Sequence, residues 1–187
     1  LDKMYLEPRL HFSYEANKHM TWHLSGGWYT QFISQLLENN TLEVNDQFWV
    51  LSDNQGVPVI QSRQIVLGGN FNYGDFQFSL ETYFKQTEGI ISLSPNFRFA
   101  PNNAYDQGKS EVMGIDVLLR KNWGKSRSWV SYSYTNVDYI FPEINEGSPF
   151  PAFHEQPHRL QLVHQHNIGD WSFSLGWQFA SGLPYTR

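Results

Sequence analysis

The stretch from Gln64 to Lys85, QIVLGGNFNYGDFQFSLETYFK, contains two alternating runs of apolar and polar residues around a central Gly74-Asp75. Alternation with a period of two is typical of a strand with one apolar face. A glycine in the first position of a two-residue turn fits a type II′ hairpin. The stretch therefore predicts a long antiparallel hairpin. Its predicted pairs are Tyr73–Phe76, Phe71–Phe78, Gly69–Leu80 and Ile65–Phe84 on one face, and Asn72–Gln77, Asn70–Ser79 and Gln64–Lys85 on the other.

The same alternation predicts three more hairpins. Before this stretch, a three-residue turn at residues 17–19 would pair Ala16 with Met20 and Tyr14 with Trp22. After it come a turn near Gly124-Lys125 and a four-residue turn at residues 167–170. Across the first of these turns, the predicted partners of Val130, Tyr132 and Tyr134 are Met113, Ile115, Val117 and Leu119. Across the second turn, the predicted partners of Leu175 and Trp177 are Leu160 and Leu162.

The composition narrows the class of protein. Aromatic residues make up 17% of the 187 residues and charged residues only 17%, against about a quarter in ordinary domains, while the mean hydropathy is −0.49. This balance suits a sheet that meets lipid on one face and water on the other. The net charge of −5 without a basic cluster argues against a nucleic-acid partner. The absence of cysteine excludes disulfides and thiolate metal sites.

Strand length and connection length together predict the architecture. The predicted strands have about ten residues or more, enough to cross a bilayer when tilted, whereas no apolar run approaches the ~18 residues of a membrane helix. Turns within hairpins are short, and the connections at residues 33–63, 86–109 and 138–157 are long. The whole chain, 1–187, is therefore predicted to be all-β: a segment of one antiparallel transmembrane β-barrel domain, with about eight strands, short periplasmic turns and long extracellular loops.

This architecture predicts which side chains face lipid and whether the barrel is complete. With the short turns in the periplasm, both termini would lie outside the cell, whereas complete barrels usually end in the periplasm; we therefore expect a fragment of a larger barrel in the bacterial outer membrane. The lipid-facing aromatic residues would be Phe12, Tyr14, Trp22, Trp28, Phe71, Tyr73, Phe76, Phe78, Phe84, Tyr132, Tyr134, Trp171, Phe173, Trp177 and Phe179.

Several segments, in this order along nearly the whole chain, resemble barrel strands of TonB-dependent outer-membrane receptors. One departure is Glu155-Gln156-Pro157-His158, where the acidic residue expected at the strand start is displaced. The resembling segments are Gly27-Trp28-Tyr29-Thr30-Gln31-Phe32, Val66-Leu67-Gly68-Gly69 with Leu80-Glu81-Thr82-Tyr83-Phe84-Lys85, Gly114-Ile115-Asp116-Val117-Leu118-Leu119-Arg120-Lys121, Trp129 to Tyr134, Pro157-His158-Arg159-Leu160, and Ser181-Gly182-Leu183-Pro184-Tyr185-Thr186.

The resemblance implies a function that this segment would share with the rest of a larger protein. The family has a 22-stranded barrel with an N-terminal plug and imports scarce ligands such as iron chelates, cobalamin or glycans with energy from the TonB complex. This chain would be the later part of the barrel. Its expected partners are outer-membrane lipid, its own plug and remaining strands, and TonB through an N-terminal region.

The candidate binding residues are few. Aromatic and arginine side chains in the long loops and the upper lumen are the predicted ligand contacts, because such side chains supply most binding energy at interfaces. The alternative is that each of them only covers the barrel mouth and binds no ligand. These candidates are Trp49, Arg63, Arg98, Tyr105 and Tyr139.

For the other polar residues we favour structural roles over binding or catalytic roles. His164 and His166 share a strand face and would form an interfacial pair rather than a metal site. His11 and His23 would belong to a solvated lumen network with Glu7, Arg9 and Glu15. Asp46 and Asp53, with Asn45, Asn54 and Gly56, suggest a calcium loop only weakly, because their spacing does not fit the EF-hand loop. Residues 143–155, acidic and rich in proline, would form a stiff exposed loop.

No arrangement of nucleophile, base and acid has an interpretable geometry, so neither an enzyme nor a cofactor is predicted. Two other classes remain open. One is a small eight-stranded structural or adhesive outer-membrane barrel without transport. The other is a soluble β-sandwich or β-barrel binding module, against which the aromatic belt and the strand lengths argue.

Overall fold

A computed structural model of the chain describes residues 4–37, 47–53, 56–93 and 105–184. Eleven β-strands and one turn of 3₁₀ helix, Asn145–Gly147, make up its regular structure in this part of the chain. The strands are β1 (Arg9–Asn17), β2 (Met20–Gln31), β3 (Ile33–Leu37), β4 (Gln47–Leu51), β5 (Ile60–Tyr73), β6 (Phe76–Leu93), β7 (Tyr105–Trp123), β8 (Ser126–Ile140), β9 (Phe150–Pro151), β10 (His158–Ile168) and β11 (Trp171–Ala180).

One antiparallel sheet contains eight of these strands in the order β1-β2-β5-β6-β7-β8-β10-β11, and β9 adds a short strand beside β8. The prediction of an all-β antiparallel sheet with about eight main strands is confirmed. Among the described strands, β1 and β11 each pair with one neighbour only, so the sheet is open and has two edges. No helix in the described ranges is long and apolar enough to span a membrane.

The β5–β6 hairpin has the register that the sequence predicts, from Tyr73 opposite Phe76 to Gln64 opposite Lys85. Gly74 has a φ of +56°, the conformation that a type II′ turn requires and that glycine adopts without strain. The predicted pairing of β7 with β8 is also confirmed, with Leu119 opposite Val130 and Ile115 opposite Tyr134.

Two predicted turns are wrong in length. In the first hairpin, Tyr14 does pair with Trp22, but Met20 pairs with Asn17, and the extra residue, Ala16, forms a bulge. The side-chain oxygen of Asn17 accepts a bond from the backbone N–H of His19 at 2.8 Å, and this local bond stabilises the tighter turn.

The last hairpin closes through a two-residue turn instead of four residues. Its strands extend to Ile168 opposite Trp171, so Leu160 pairs with Phe179 and Leu162 with Trp177. Gly169, at a φ of +57°, occupies the turn position that favours glycine. The shift is by two residues, so each side chain keeps the predicted face.

The long connections are more structured than predicted. β3 and β4 form a separate two-stranded sheet within residues 33–63, and β5 already begins at Ile60. β6 and β7 continue through most of the predicted loop 86–109, as far as Leu93 opposite Tyr105. The connection after β8 folds back as β9 and pairs Phe150 with Tyr139.

The sheet is a single layer with almost no core. In the described part of the chain, the only buried hydrophobic residues are Val57, Val59, Phe141 and Ala152. The accessible surface is 13867 Å², against about 9,300 Å² expected for a compact protein of this mass. A soluble β-sandwich buries the inner faces of two sheets; the described residues show no such packing for the main sheet.

Candidate functional site

One face of the main sheet, which we call the aromatic face, carries all the aromatic side chains that the sequence assigns to one surface. The registers of the eight strands place all fifteen residues on this face. All but Phe78 are exposed. A continuous apolar surface of this extent is far larger than the few hundred Å² usual on a monomer and marks a surface that meets lipid or protein.

A row of polar residues limits the apolar part of this face near the long connections. Arg63, Gln86, Glu111 and Asp138, the upper polar row, lie opposite one another on β5 to β8. Arg63 donates to Oε1 of Gln86, with Nε at 2.8 Å, and Nε2 of Gln86 donates to Glu111 at 3.2 Å. The first three side chains of the row therefore bond to one another, and Asp138 accepts a bond from Asn136 instead.

A second row crosses the same four strands near the short turns. It consists of Tyr73, Phe76, Lys121 and Ser128 and is called the lower row. The ammonium of Lys121 lies 4.5 Å from the ring centre of Phe76, a cation–π contact. On each strand the two rows are ten residues apart, which corresponds to about 33 Å along the strand.

Between the two rows, each of the four strands presents four residues on the aromatic face, and none is charged. The hydroxyl of Thr82 donates to the carbonyl of Leu67 at 3.4 Å, and the amide of Asn136 donates to Asp138 at 2.6 Å. We call these positions the apolar band: Ile65, Leu67, Gly69, Phe71, Leu80, Thr82, Phe84, Phe78, Met113, Ile115, Val117, Leu119, Val130, Tyr132, Tyr134 and Asn136.

The opposite, polar face carries a histidine–carboxylate pair that spans three strands. His23 on β2 lies opposite Gly68 on β5, which lies opposite Glu81 on β6. Nε2 of His23 is 3.0 Å from Oε1 of Glu81. A Cβ on Gly68 would be 2.3 Å from that nitrogen, so only glycine leaves room for the ring to cross β5. His11 stacks on His23 at 6.5 Å.

The same arrangement recurs on the next strands of the polar face. Tyr83 on β6 reaches across Gly114 on β7, and its hydroxyl lies 2.8 Å from the hydroxyl of Thr135 on β8. A Cβ on Gly114 would be 2.4 Å from the Tyr83 oxygen. Two long polar side chains thus lie flat across glycines and link alternate strands, which stiffens this face in the strand-pairing direction.

The structure describes the side chains of three of the five predicted ligand-binding residues, and these three lie on different strands. Trp49 lies exposed on β4, while Arg98 and the side chain of Tyr105 lie outside the described residues. Arg63 belongs to β5 and to the aromatic face, so its assignment to a loop is wrong. Tyr139 is at the end of β8 on the polar face, and the sheet separates it from Arg63.

Tyr139 is the centre of an aromatic cluster at the long-connection end of the sheet. Its ring lies 6.2 Å from Phe141, 6.2 Å from Phe150, 6.3 Å from Phe153 and 6.0 Å from His154. Burial raises the pKa of the Tyr139 phenol above its usual value. The cluster offers ring faces of the kind that bind planar or sugar ligands.

The connection that carries this cluster, residues 143–155, is largely exposed, as predicted, but Ala152 and Glu155 are buried. Glu155 is only 6% exposed, and its carboxylate accepts the backbone N–H of Val137 at 2.9 Å. The N–H of Ala152 donates to the carbonyl of Val137 at 2.8 Å. Both backbone groups of Val137 therefore anchor the loop to the edge of β8.

His164 and His166 lie on the aromatic face near the short turns, as predicted. Nδ1 of His164 is 2.7 Å from the hydroxyl of Ser128, and Nδ1 of His166 is 2.6 Å from that of Ser126. Each ring thus has a hydrogen-bond partner on β8. Within the ranges that the structure describes, no group of three or more metal-ligating side chains is placed to hold an ion.

Asp53, the one described acid of the weak calcium-loop pattern, has a structural role. Oδ1 of Asp53 accepts the backbone N–H groups of Gly56 and Val57, each at 2.9 Å. This carboxylate therefore stabilises a tight turn. Asp46, Asn45 and Asn54 lie outside the described residues.

Neither a protein-family model nor a curated protein sequence matches the chain. The functional interpretation therefore depends on the geometry of the two faces and on the chain's own motifs. Sequence reasoning did not identify Glu81 and Gly68 as partners of His23. The signal was present in part, because the β5–β6 register already places Gly68 opposite Glu81.

Proposed function

We propose that the main sheet is part of the wall of a bacterial outer-membrane β-barrel, and that the barrel is a TonB-dependent transporter that imports a scarce ligand. The observation that carries the barrel proposal is the uncharged apolar band between the upper polar row and the lower row. A strand tilted by ~40° and spanning ~33 Å between the rows covers a height of about 25 Å, which is the height of the lipid-facing band in outer-membrane barrels.

The unequal faces support the same orientation. The apolar band would contact acyl chains, and the polar face, with the pairs His23–Glu81 and Tyr83–Thr135, would face the interior and a plug domain. Placing the uncharged band in lipid would cost little free energy, whereas placing the polar pairs there would be strongly unfavourable.

The open edges support membership of a larger or closed barrel. All residues of β1 and of β11 are exposed, and each strand presents an unpaired backbone edge among the described residues. Unpaired N–H and C=O groups are not tolerated in hydrocarbon and cause aggregation in water. Further strands pairing with β1 and β11 would satisfy both edges.

The transport class is supported by the order of barrel motifs along the chain. Ligand capture would involve the long connections, and the Tyr139 cluster is the best-formed aromatic surface there. Iron chelates, cobalamin and glycans all present rings or planar groups that such a cluster can contact. Trp49, exposed on the small β3–β4 sheet, is a second contact from the same end of the barrel.

The test is the apparent mass of the native protein in outer-membrane extracts, compared with and without heating. An antibody against residues 33–63 detects the protein. If the band migrates faster before heating, and its apparent mass after heating is several times 21.9 kDa, the chain is a section of a large barrel. A heat-modifiable band near that mass would instead mean a small eight-stranded barrel without transport, and recovery in the soluble fraction would refute the membrane proposal.

A further inference from the structure

A groove interrupts the apolar surface of the aromatic face at its long-connection end. Gly26 on β2 forms its floor because it has no side chain, and it lies between Leu10 on β1 and Ile65 on β5 in the register. Trp28 and Leu24, two residues to either side, close the ends. The resulting cavity has a volume of about 560 Å³ and is lined by residues of β1, β2, β5 and β6.

A cation stands at the upper end of this groove. Arg63 lies opposite Trp28 and also lines the cavity. Its guanidinium donates to Gln86, and no carboxylate among the described residues is within ion-pair distance of it. The groove thus joins an apolar channel to a positive charge without a countercharge, at the limit of the apolar band.

We propose that this groove binds one acyl chain of lipid A, with a lipid A phosphate on Arg63. The inference rests on the proposed function, in which the long connections lie outside and Arg63 is at the outer leaflet, whose lipid is lipopolysaccharide. An arginine fork matches a phosphate with two parallel hydrogen bonds. Trp28 beside it is the residue type that anchors at the membrane interface.

The geometry favours a lipid over a protein partner. Apart from Arg63, the aromatic-face side chains that line the groove are all apolar: Leu10, Phe12, Leu24, Trp28, Ile65 and Phe84. Two arginines line the groove; Arg9 is paired with Glu7 at 2.9 Å, so Arg63 is the one without a carboxylate partner among the described residues. A protein interface has a polar rim around its apolar core, whereas the aromatic-face side chains around this groove are apolar except for Arg63 at one end.

The test uses protein extracted from outer membranes and transferred to micelles that contain equal amounts of lipid A and phosphatidylglycerol. Native mass spectrometry counts the lipids that remain bound. We expect one retained lipid A in the wild type and about tenfold less retention in Arg63→Gln, because one charge-assisted pair is lost. Arg63→Lys should keep most of the binding, since it keeps the charge.

Two further variants make the result specific. Gly26→Leu fills the floor of the groove and should also reduce retention. Lys121→Gln removes the cation of the lower row, at the far end of the apolar band, and should leave retention unchanged. Equal retention in Arg63→Gln and wild type, or equal binding of phosphatidylglycerol, would overturn the inference.

The two proposals fail in distinguishable ways. Heat-modifiable migration is measured on the same samples. A heat-modifiable outer-membrane protein that shows no preference for lipid A would refute the lipid site alone. A protein that is absent from the outer membrane would refute the proposed function itself.

Discussion

Replacing Gly68 by alanine should break the histidine–carboxylate pair on the polar face. The added Cβ would lie 2.3 Å from Nε2 of His23 and 2.9 Å from Cγ of Glu81, so the imidazole ring must move off β5. The lost hydrogen bond to a charged group is worth about 1.5–3 kcal/mol. Glu81 is 43% exposed, which argues for the lower end, and alanine recovers up to ~1 kcal/mol of chain entropy. The expected net loss is about 1 kcal/mol.

A double-mutant cycle isolates this effect. His23→Ala removes the same bond and the closest contacts of the added Cβ, and it leaves the Glu81 side chain free to turn away. Gly68→Ala should therefore cost nothing further in that background and should stabilise by a few tenths of a kcal/mol. The measurement is the free energy of unfolding in guanidinium chloride with the protein in detergent micelles. Gly176→Ala is the matched control, because a Cβ there meets no atom within 4 Å. Additive costs of the two substitutions would refute the crossing of His23 over Gly68.

Three other predictions concern the band, the aromatic cluster and the loop anchor. Val117→Arg, in the middle of the apolar band, should lower the free energy of unfolding in micelles by about 2–4 kcal/mol, whereas Leu118→Arg on the polar face should cost under ~1 kcal/mol; equal costs would contradict the two-faced sheet. The raised pKa of Tyr139 means that folding favours the neutral phenol, so its contribution to stability is complete below the ordinary pKa of ~10 and is lost as pH rises through the higher folded value. Near-ultraviolet absorbance titration should show a late phenol that disappears in Tyr139→Phe, and an unchanged curve would contradict its burial. Glu155→Ala leaves the N–H of Val137 without its partner and should cost about 2 kcal/mol in guanidinium unfolding, whereas Glu155→Gln keeps an acceptor and should cost under ~1 kcal/mol; similar losses would show that the hydrogen bond does not anchor the loop.

The β5–β6 hairpin was predictable because every local preference agrees. The alternation of each strand and the turn at Gly74 favour one register, and any shift by one residue would move Phe71 and Phe78 to the polar face. The β7–β8 hairpin has the same consistency. Such agreement within a hairpin requires no knowledge of the rest of the sheet.

Predictions failed where one extra residue is absorbed by a bulge. At the end of β1, an odd turn length and a bulge at Ala16 satisfy the same pattern, so the sequence does not distinguish them. In β6, the pairing shifts between Glu88 and Ile90, and Gly89 has a φ of +80°. The shift reverses the alternation, which made residues 86–93 look like a loop.

The pair of His23 and Glu81 on the polar face could not be predicted for a different reason. His23 and Glu81 meet only because β2 pairs with β5 across the long connection at residues 33–63. Hairpin rules give registers within a turn but none across such a connection. Arg63 was placed in a loop because its strand begins earlier than the apolar alternation does.

The most direct test of the two-faced wall is spin labelling along β7, and the absence of cysteine makes single-cysteine variants simple to prepare. Labels at Ile115, Val117 and Leu119 should be accessible to oxygen, which dissolves in lipid, and shielded from a water-soluble nickel chelate. Labels at Asp116 and Leu118 should show the reverse or be shielded from both reagents. A period of two in oxygen accessibility, measured by electron paramagnetic resonance in lipid vesicles, is the predicted result. Equal exposure of both sets to the nickel chelate would contradict a lipid-facing aromatic surface.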